Sequence, residues 1–338
     1  MMNVIAQILI LIVFPINFTL FLPGEMIKDS VVKEKETIEG EIKGVEKTKT
    51  ELISKDILPI AALIQPIKKE EAKDLVIANA HSSLILDVDS GTILHYNNGK
   101  QRKQIASLTK LMTAILVVEK IKDLEEKVKI DEEAVLCEGT KVGCPRSGYC
   151  ISERLKIGEK MSAMNLLKAM LMNSANDTAI ALGKHISGSQ EEFAKLMNEK
   201  AKEMGLNDSK FCTPSGLEIE GRENECYSSA YDIARIAAYS MKYDIIWQIL
   251  RLPNKTIIDS FDGKYSHEIL NTDLVLDQVP NCIGGKTGFT PLAGYSLLLS
   301  ANDATKKHKI VVVVLDDPYR WEDVKRMIDW TFESYEWK

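Results

Sequence analysis

Residues 4–24, VIAQILILIVFPINFTLFLPG, are apolar nearly throughout, about the length of a helix that crosses a bilayer. Gln7, Pro15, Asn17 and Thr19 interrupt the run, and neither a basic start nor a clear small-x-small site accompanies it. It reads as an uncleaved anchor in preference to a signal peptide. The pattern then inverts. EMIKDSVVKEKETIEGEIKGVEKTKTELISKD is dominated by Lys and Glu and contains no aromatic residue. A charged linker over residues 25–75 is predicted, with order beginning near residue 76.

Past that point two periods alternate. SSLILDVDSGTILHYN has two apolar runs around Asp89-Ser90-Gly91, the signature of a hairpin. Leu108, Leu111, Met112, Ile115 and Val118 follow helical spacing and predict a helix buried along one face. Helical patterns recur over 161–185 and 190–204. GYSLLLSA and HKIVVVVLDD are β-rich runs separated by a polar turn, and RWEDVKRMIDWTFESYEW is an amphipathic helix. Strands at both ends with helices between predict an α+β fold. An antiparallel sheet would join N- and C-terminal strands, flanked by helices, with an inserted helical subdomain.

Charge and cysteine content refine this picture. The net charge of -6 comes from acids and bases mixed along the chain, which leaves no basic footprint for nucleic acid. Cysteines stand at 137, 144, 150, 212, 226 and 282, an even number that behind an export segment permits disulfides. Cys212 and Cys226 flank one short polar loop and are the predicted pair. CEGTKVGCPRSGYC lacks the CxxC spacing of zinc sites. A local disulfide is expected there, with its partners open; if all six cysteines pair, Cys282 takes one of these three.

Candidate chemistry begins at IASLTKLMTA. Residues i and i+3 share a helix face, so the Ser107 hydroxyl and Lys110 amine can meet. A serine hydroxyl needs a base to become a nucleophile, and a lysine serves only when burial or a neighbouring cation keeps it neutral. A helix start also offers free N–H groups to an oxyanion. Alone the motif is common, and an N-cap serine beside a solvated lysine is the ordinary alternative. Two further segments change that. LMNSANDTAIALG places Ser174-Ala175-Asn176 on a small-residue turn opening another helix, and GGKTGFTPLAGYSLLLSA carries Lys286-Thr287-Gly288 into a terminal strand. SxxK, SxN and KTG in this order and context are poorly explained by chance.

These motifs, with SSLILDVDSGTILHYNN, TPSGLE, YSSAYDIARIA and RWEDVKRMIDWTF around them, resemble the penicillin-recognising serine enzymes. The closest resemblance is to the low-molecular-mass D-alanyl-D-alanine carboxypeptidases of the serine β-lactamase/DD-peptidase superfamily, and it covers residues 76–338. It implies an acyl-enzyme on Ser107, with Lys110 as base and Ser174 relaying a proton to the leaving D-alanine. Asn176 would hydrogen-bond the substrate amide and position Lys110. Lys286 would supply the positive field of the cleft. Thr287 and Arg320 would take the terminal carboxylate, Gly288 would complete the substrate-binding motif, and the N–H groups of Ser107 and Phe289 would form the oxyanion hole. The substrate would be the peptidoglycan pentapeptide, with β-lactams as inhibitors and no metal or cofactor.

Three features stand apart from that family pattern or compete with it. The chain closes after its amphipathic helix, so the tether to an extracytoplasmic membrane surface is expected from the N-terminal segment. The cysteine-bearing loop 137–150 lies between the first two motifs and is expected to be a stapled surface loop, with an effect on substrate reach as the alternative. Glu203–Asn207, EMGLN, imitates a β-lactamase string, but it runs into a carboxypeptidase-like block. A DD-endopeptidase and a serine β-lactamase of the same fold are the competing activities.

Overall fold

The apolar runs from the two ends of the sequence meet in one antiparallel sheet. In the computed structural model, which describes residues 64–145 and 148–338, β2 (Ser82–Asp87) and β3 (Ile93–Asn97) form the hairpin around Asp89-Ser90-Gly91. β8 (Cys282–Thr290), β9 (Gly294–Asn302) and β10 (Lys309–Leu315) complete the sheet in the order β3-β2-β10-β9-β8. Burial on both faces explains why β10 is continuously apolar rather than alternating. On one face Leu84, Leu86, Leu298, Val311 and Val313 join the core beneath the helices. On the other, Ile85, Leu297, Leu299, Val312 and Val314 pack against Val324, Met327 and Ile328 of α8 (Arg320–Ser334).

The helical part comprises α1 (Lys110–Lys120), α2 (Glu132–Leu136), α3 (Ala163–Met172), α4 (Asn176–Ser187), α5 (Gln190–Glu203), α6 (Ala230–Ser240) and α7 (Asp244–Leu250). Two small antiparallel pairs accompany it, β4 (Lys127–Lys129) with β5 (Lys160–Ser162) and the hairpin of β6 (Lys255–Asp259) with β7 (Ser266–Leu270). Ser162, Ser189 and Ser229 cap α3, α5 and α6, each accepting from the N–H three residues on. Such caps are worth about 1 kcal/mol apiece.

Two sequence expectations need correction. The helix after Ser107 is buried all round from Lys110 to Val117, not along one face, because α3, α4, α5 and α6 all pack on it. The helical pattern over 161–185 forms two helices, with the turn expected at Ser174–Asn176 as the break between them at Asn173–Ala175, where Ser174 takes φ +59°. Order also precedes residue 76. β1 (Pro66–Lys68) pairs antiparallel with β11 (Tyr335–Trp337), and Trp330 Nε1 donates to the Lys73 carbonyl at 2.8 Å. Pairing with the far end of the chain makes 66–75 part of the domain despite its Lys/Glu composition. Residues 4–24 lie outside the described residues, among which no helix is long and apolar enough to cross a membrane.

A buried polar link ties β7 to the loop before β5. His267 Nδ1 contacts the Glu153 carbonyl and Nε2 contacts Glu159 Oε1, both at 2.8 Å and out of solvent. Both partners are acceptors, so the ring is fully satisfied only as imidazolium. Burial pulls its pKa down, but these bonds prevail and hold it above its ordinary 6.5. This stabilisation is complete below the unfolded pKa and fades as pH rises through the folded one. Urea midpoints measured from pH 5.5 to 8.5 are expected to fall, and His267→Gln is expected to flatten that slope. An unchanged slope in the variant would remove the assignment.

Candidate active site

The nucleophile motif starts with a strained turn. Ala106–Thr109 is a single 3₁₀ turn leading into α1, and in 3₁₀ geometry residues i and i+3 eclipse. That brings Lys110 Nζ to 2.8 Å from Ser107 Oγ. Ala106, just before the serine, sits at φ +47°, which costs a non-glycine residue about 1–2 kcal/mol. Its carbonyl is pressed against Gly216, where an added Cβ would lie 2.0 Å from Ala106 O. The turn is thus held from outside by the Thr213–Glu218 loop.

Lys110 is wholly buried, with its amine donating to Asn176 Oδ1 at 2.7 Å and to the Ser215 carbonyl at 2.6 Å besides Ser107. Burial first, and the Lys286 charge second, drive its pKa well below the ordinary lysine value. The amine is therefore suited to accept a proton. Ser107, by contrast, keeps part of its surface accessible.

The second motif occupies the α3–α4 break. Lys286 Nζ donates to Ser174 Oγ at 2.8 Å and to the Thr287 carbonyl at 3.1 Å. Burial lowers the Lys286 pKa to about 7, against an opposing pull from Asp273. Lys286, Thr287 and Gly288 lie on the edge strand β8, which pairs with β9 on one side and backs onto the Ala106–Thr109 turn on the other. A Cβ at Gly288 would stand 2.8 Å from the Ile105 carbonyl, which only glycine avoids. Thr287 Oγ1 shares a 2.7 Å hydrogen bond with Thr272 Oγ1.

At the rim, exposed Phe289 stacks on Tyr295, ring centroids 4.5 Å apart. The Arg320 guanidinium lies 4.6 Å from the Tyr295 ring and 4.5 Å from Trp321, at the start of α8. Its Nε is buried without a hydrogen-bond partner among the described residues. The guanidinium is held by aromatic faces, leaving its N–H groups for an incoming acceptor.

Contacts bring Ser107, Lys110 and Asn176 together, and Ser174 with Lys286 beside them, while Arg320 meets Tyr295, on which Phe289 stacks; the surrounding groups that position them were not evident from the sequence. The Ser215 carbonyl is a direct partner of Lys110, and Thr113 Oγ1 donates to Pro214 O at 2.7 Å to fix that loop. Cys212–Cys226 closes the loop as expected. The second disulfide is Cys144–Cys150, while Cys137 and Cys282 are free. The stapled segment is more than surface. Glu138 O accepts from Asn176 Nδ2 at 2.9 Å, Thr140 O accepts from Asn176 N at 2.8 Å, and Val142 N donates to buried Asp177 at 3.0 Å. TPSGLE was visible as a motif, but a backbone carbonyl carries no side-chain signature.

Sequence comparison now decides the family. Residues 68–319 match the peptidase S11 family, D-alanyl-D-alanine carboxypeptidase. The chain belongs to that family. It is 35% identical over 263 residues to the D-alanyl-D-alanine carboxypeptidase DacF of Bacillus subtilis, covering 76% of this chain and 63% of that protein. It is 29% identical over 252 residues to a D-alanyl-D-alanine endopeptidase of Escherichia coli, covering 74% of this chain and 76% of the relative. Among solved structures it resembles ampicillin-bound penicillin-binding protein D2 of Listeria monocytogenes, with a TM-score of 0.64 and 26% identity. That match covers 77% of this chain and 100% of the other. The α+β fold is that of the penicillin-binding DD-peptidases. The chain spans less than two thirds of the length of the curated carboxypeptidases it matches.

Proposed function

We propose that this S11 family member is a serine-type D-Ala-D-Ala carboxypeptidase that trims the terminal D-alanine from peptidoglycan stem peptides. The observation that carries this reading is the buried Lys110 amine, 2.8 Å from Ser107 Oγ, with its pKa depressed. Lys110 takes the Ser107 proton as Oγ bonds to the D-alanyl carbonyl carbon. Ser174, bonded to Lys286, passes a proton to the departing D-alanine nitrogen as the C–N bond breaks. Water then releases the acyl group, with Lys110 again the base. Lys286, Thr287 and Arg320 hold the substrate carboxylate, and the Ser107 and Phe289 N–H groups receive the oxyanion.

The two disulfides favour an extracytoplasmic setting. Residues 1–24 act as the tether, followed by a charged spacer up to β1. The endopeptidase relative supports a second reading, cleavage of cross-linked peptides by the same machinery. Release of D-alanine from pentapeptide, compared with splitting of cross-linked dimers, separates the two.

The test is intact mass over time with penicillin. A persistent adduct on Ser107 is expected, and Ser107→Ala is expected to lose both adduct and D-alanine release while keeping its thermal midpoint. Rapid return to free enzyme with hydrolysed drug would replace this reading with a β-lactamase. An adduct on the alanine variant would displace Ser107 as nucleophile.

A further inference from the structure

Asp273 is a buried charge that the proposed reaction does not use. It lies between β7 and β8, 6% exposed, fixed by its N–H donating to Asn271 Oδ1 and its Oδ1 accepting from Val275 N, both at 3.0 Å. Oδ2 is buried with no hydrogen-bond partner among the described residues. It is pressed against the β8 backbone at Gly285, the residue before Lys286 in the strand, since a Cβ there would lie 2.0 Å from it. A buried carboxylate left half-satisfied is costly unless a positive field offsets it.

Two cations supply that field without touching it. Lys286 Nζ gives one N–H to Ser174 Oγ and one to the Thr287 carbonyl, which leaves a third free when the amine is protonated. Arg320 rests on Tyr295 and Trp321. We infer that Asp273 is a positioning residue, an offset counter-charge that keeps Lys286 cationic and balances the permanent charge of Arg320 without occupying a donor of either, so that the guanidinium and the remaining Lys286 N–H stay available to an anionic substrate group. A direct ion pair would balance the charges equally well and block the donors.

The neighbours fit this role. Lys286 is faced by Lys110 from α1, Ser174 from the α3–α4 turn and Asp273 from the segment before β8. Arg320 is faced by Tyr295, Asp273 and Asp317. Asp273 itself also feels Arg251, which is bridged to Asp277 at 2.8 Å, and it bears on the Cys282 thiol. Burial pushes the Asp273 carboxyl up to about 6, so its charge is present above that pH.

The inference rests on the carboxypeptidase reading, and the experiment separates the two. Asp273→Asn keeps the shape and the Oδ1 acceptor. Loss of an opposite charge shifts a neighbouring pKa by about one unit or more, so Lys286 is expected to titrate about one unit lower, read by NMR of lysine-labelled protein. The rate of penicillin acylation is expected to fall roughly tenfold at pH 8, by the same shift, with the two proteins converging as pH drops through about 6. The thermal midpoint is expected to hold. An unmoved Lys286 titration overturns the inference, whether or not penicillin reacts. Failure of the natural protein to acylate overturns the activity instead, and the titration still decides Asp273.

Discussion

Lys110→Ala is expected to slow acylation of Ser107 by penicillin about 10²–10⁴-fold, the usual contribution of a positioned general base. Three contacts end at that amine, and their chemistry differs. Asn176 Oδ1 and the Ser215 carbonyl are acceptors, so they orient the nitrogen whatever its charge. Ser107 Oγ must surrender a proton to it. Burial and the Lys286 charge make the neutral amine accessible at ordinary pH. Lys110→Arg is the discriminating variant. A guanidinium restores donors but stays protonated, so it is expected to rescue little activity even where it restores stability. Rates come from mass-resolved time courses at saturating drug, with thermal midpoints measured in parallel. Wild-type acylation in either variant would show that another group takes the proton. On the proposed mechanism Lys286 acts as a cation, so the rate is expected to fall as pH rises through its value of about 7.

What the sequence revealed of this site follows from what periodicity and side-chain type can encode. The paired strands at 82–97 and 294–315 were legible because a sheet buried on both faces writes long apolar runs. The SxxK, SxN and KTG motifs were legible because the chemistry proposed for them requires particular side chains at fixed spacing. The β1–β11 pairing was not, since three residues with two exposed carry no periodic signal and their partner lies at the opposite end of the chain. The break at Ser174 was legible as a small-residue turn opening a helix, but its left-handed residue was not, because a single φ > 0 position leaves the apolar pattern intact. Thr272 and Asp273 escaped for another reason: they act through position beside β8, which only the assembled sheet defines. The loop 137–150 read as a disulfide staple, and the staple exists. Its larger contribution, the carbonyls of Glu138 and Thr140 that hold Asn176, belongs to backbone atoms any sequence would supply.

The same logic gives Gly216→Ala a large expected effect from one methyl group. Gly216 has φ +80°, and its missing Cβ leaves room for the Ala106 carbonyl, which would otherwise be 2.0 Å away, with Thr109 Oγ1 at 2.7 Å. The obstructing atoms include backbone, so rotamer changes cannot relieve the clash. Either the 3₁₀ turn retreats and Ser107 moves, or the loop retreats and takes the Ser215 carbonyl from Lys110. The loop resists because Cys212–Cys226 closes it and Thr290 Oγ1 donates to Glu218 Oε1 from the β8 end. Strain at φ > 0 and overpacking together are expected to cost about 2–4 kcal/mol of stability. Misplacing a nucleophile by about 1 Å costs around 10²-fold in rate, so penicillin acylation is expected to fall at least that far in protein still folded at the assay temperature. Ala106→Gly provides the converse test: it relieves the φ +47° strain, so alone it is expected to stabilise by about 1 kcal/mol. In the double variant it is expected to recover part of the lost rate, because a glycine at 106 lets the turn adjust to the new methyl. Purely additive losses would mean that the turn and the loop are not coupled through this contact.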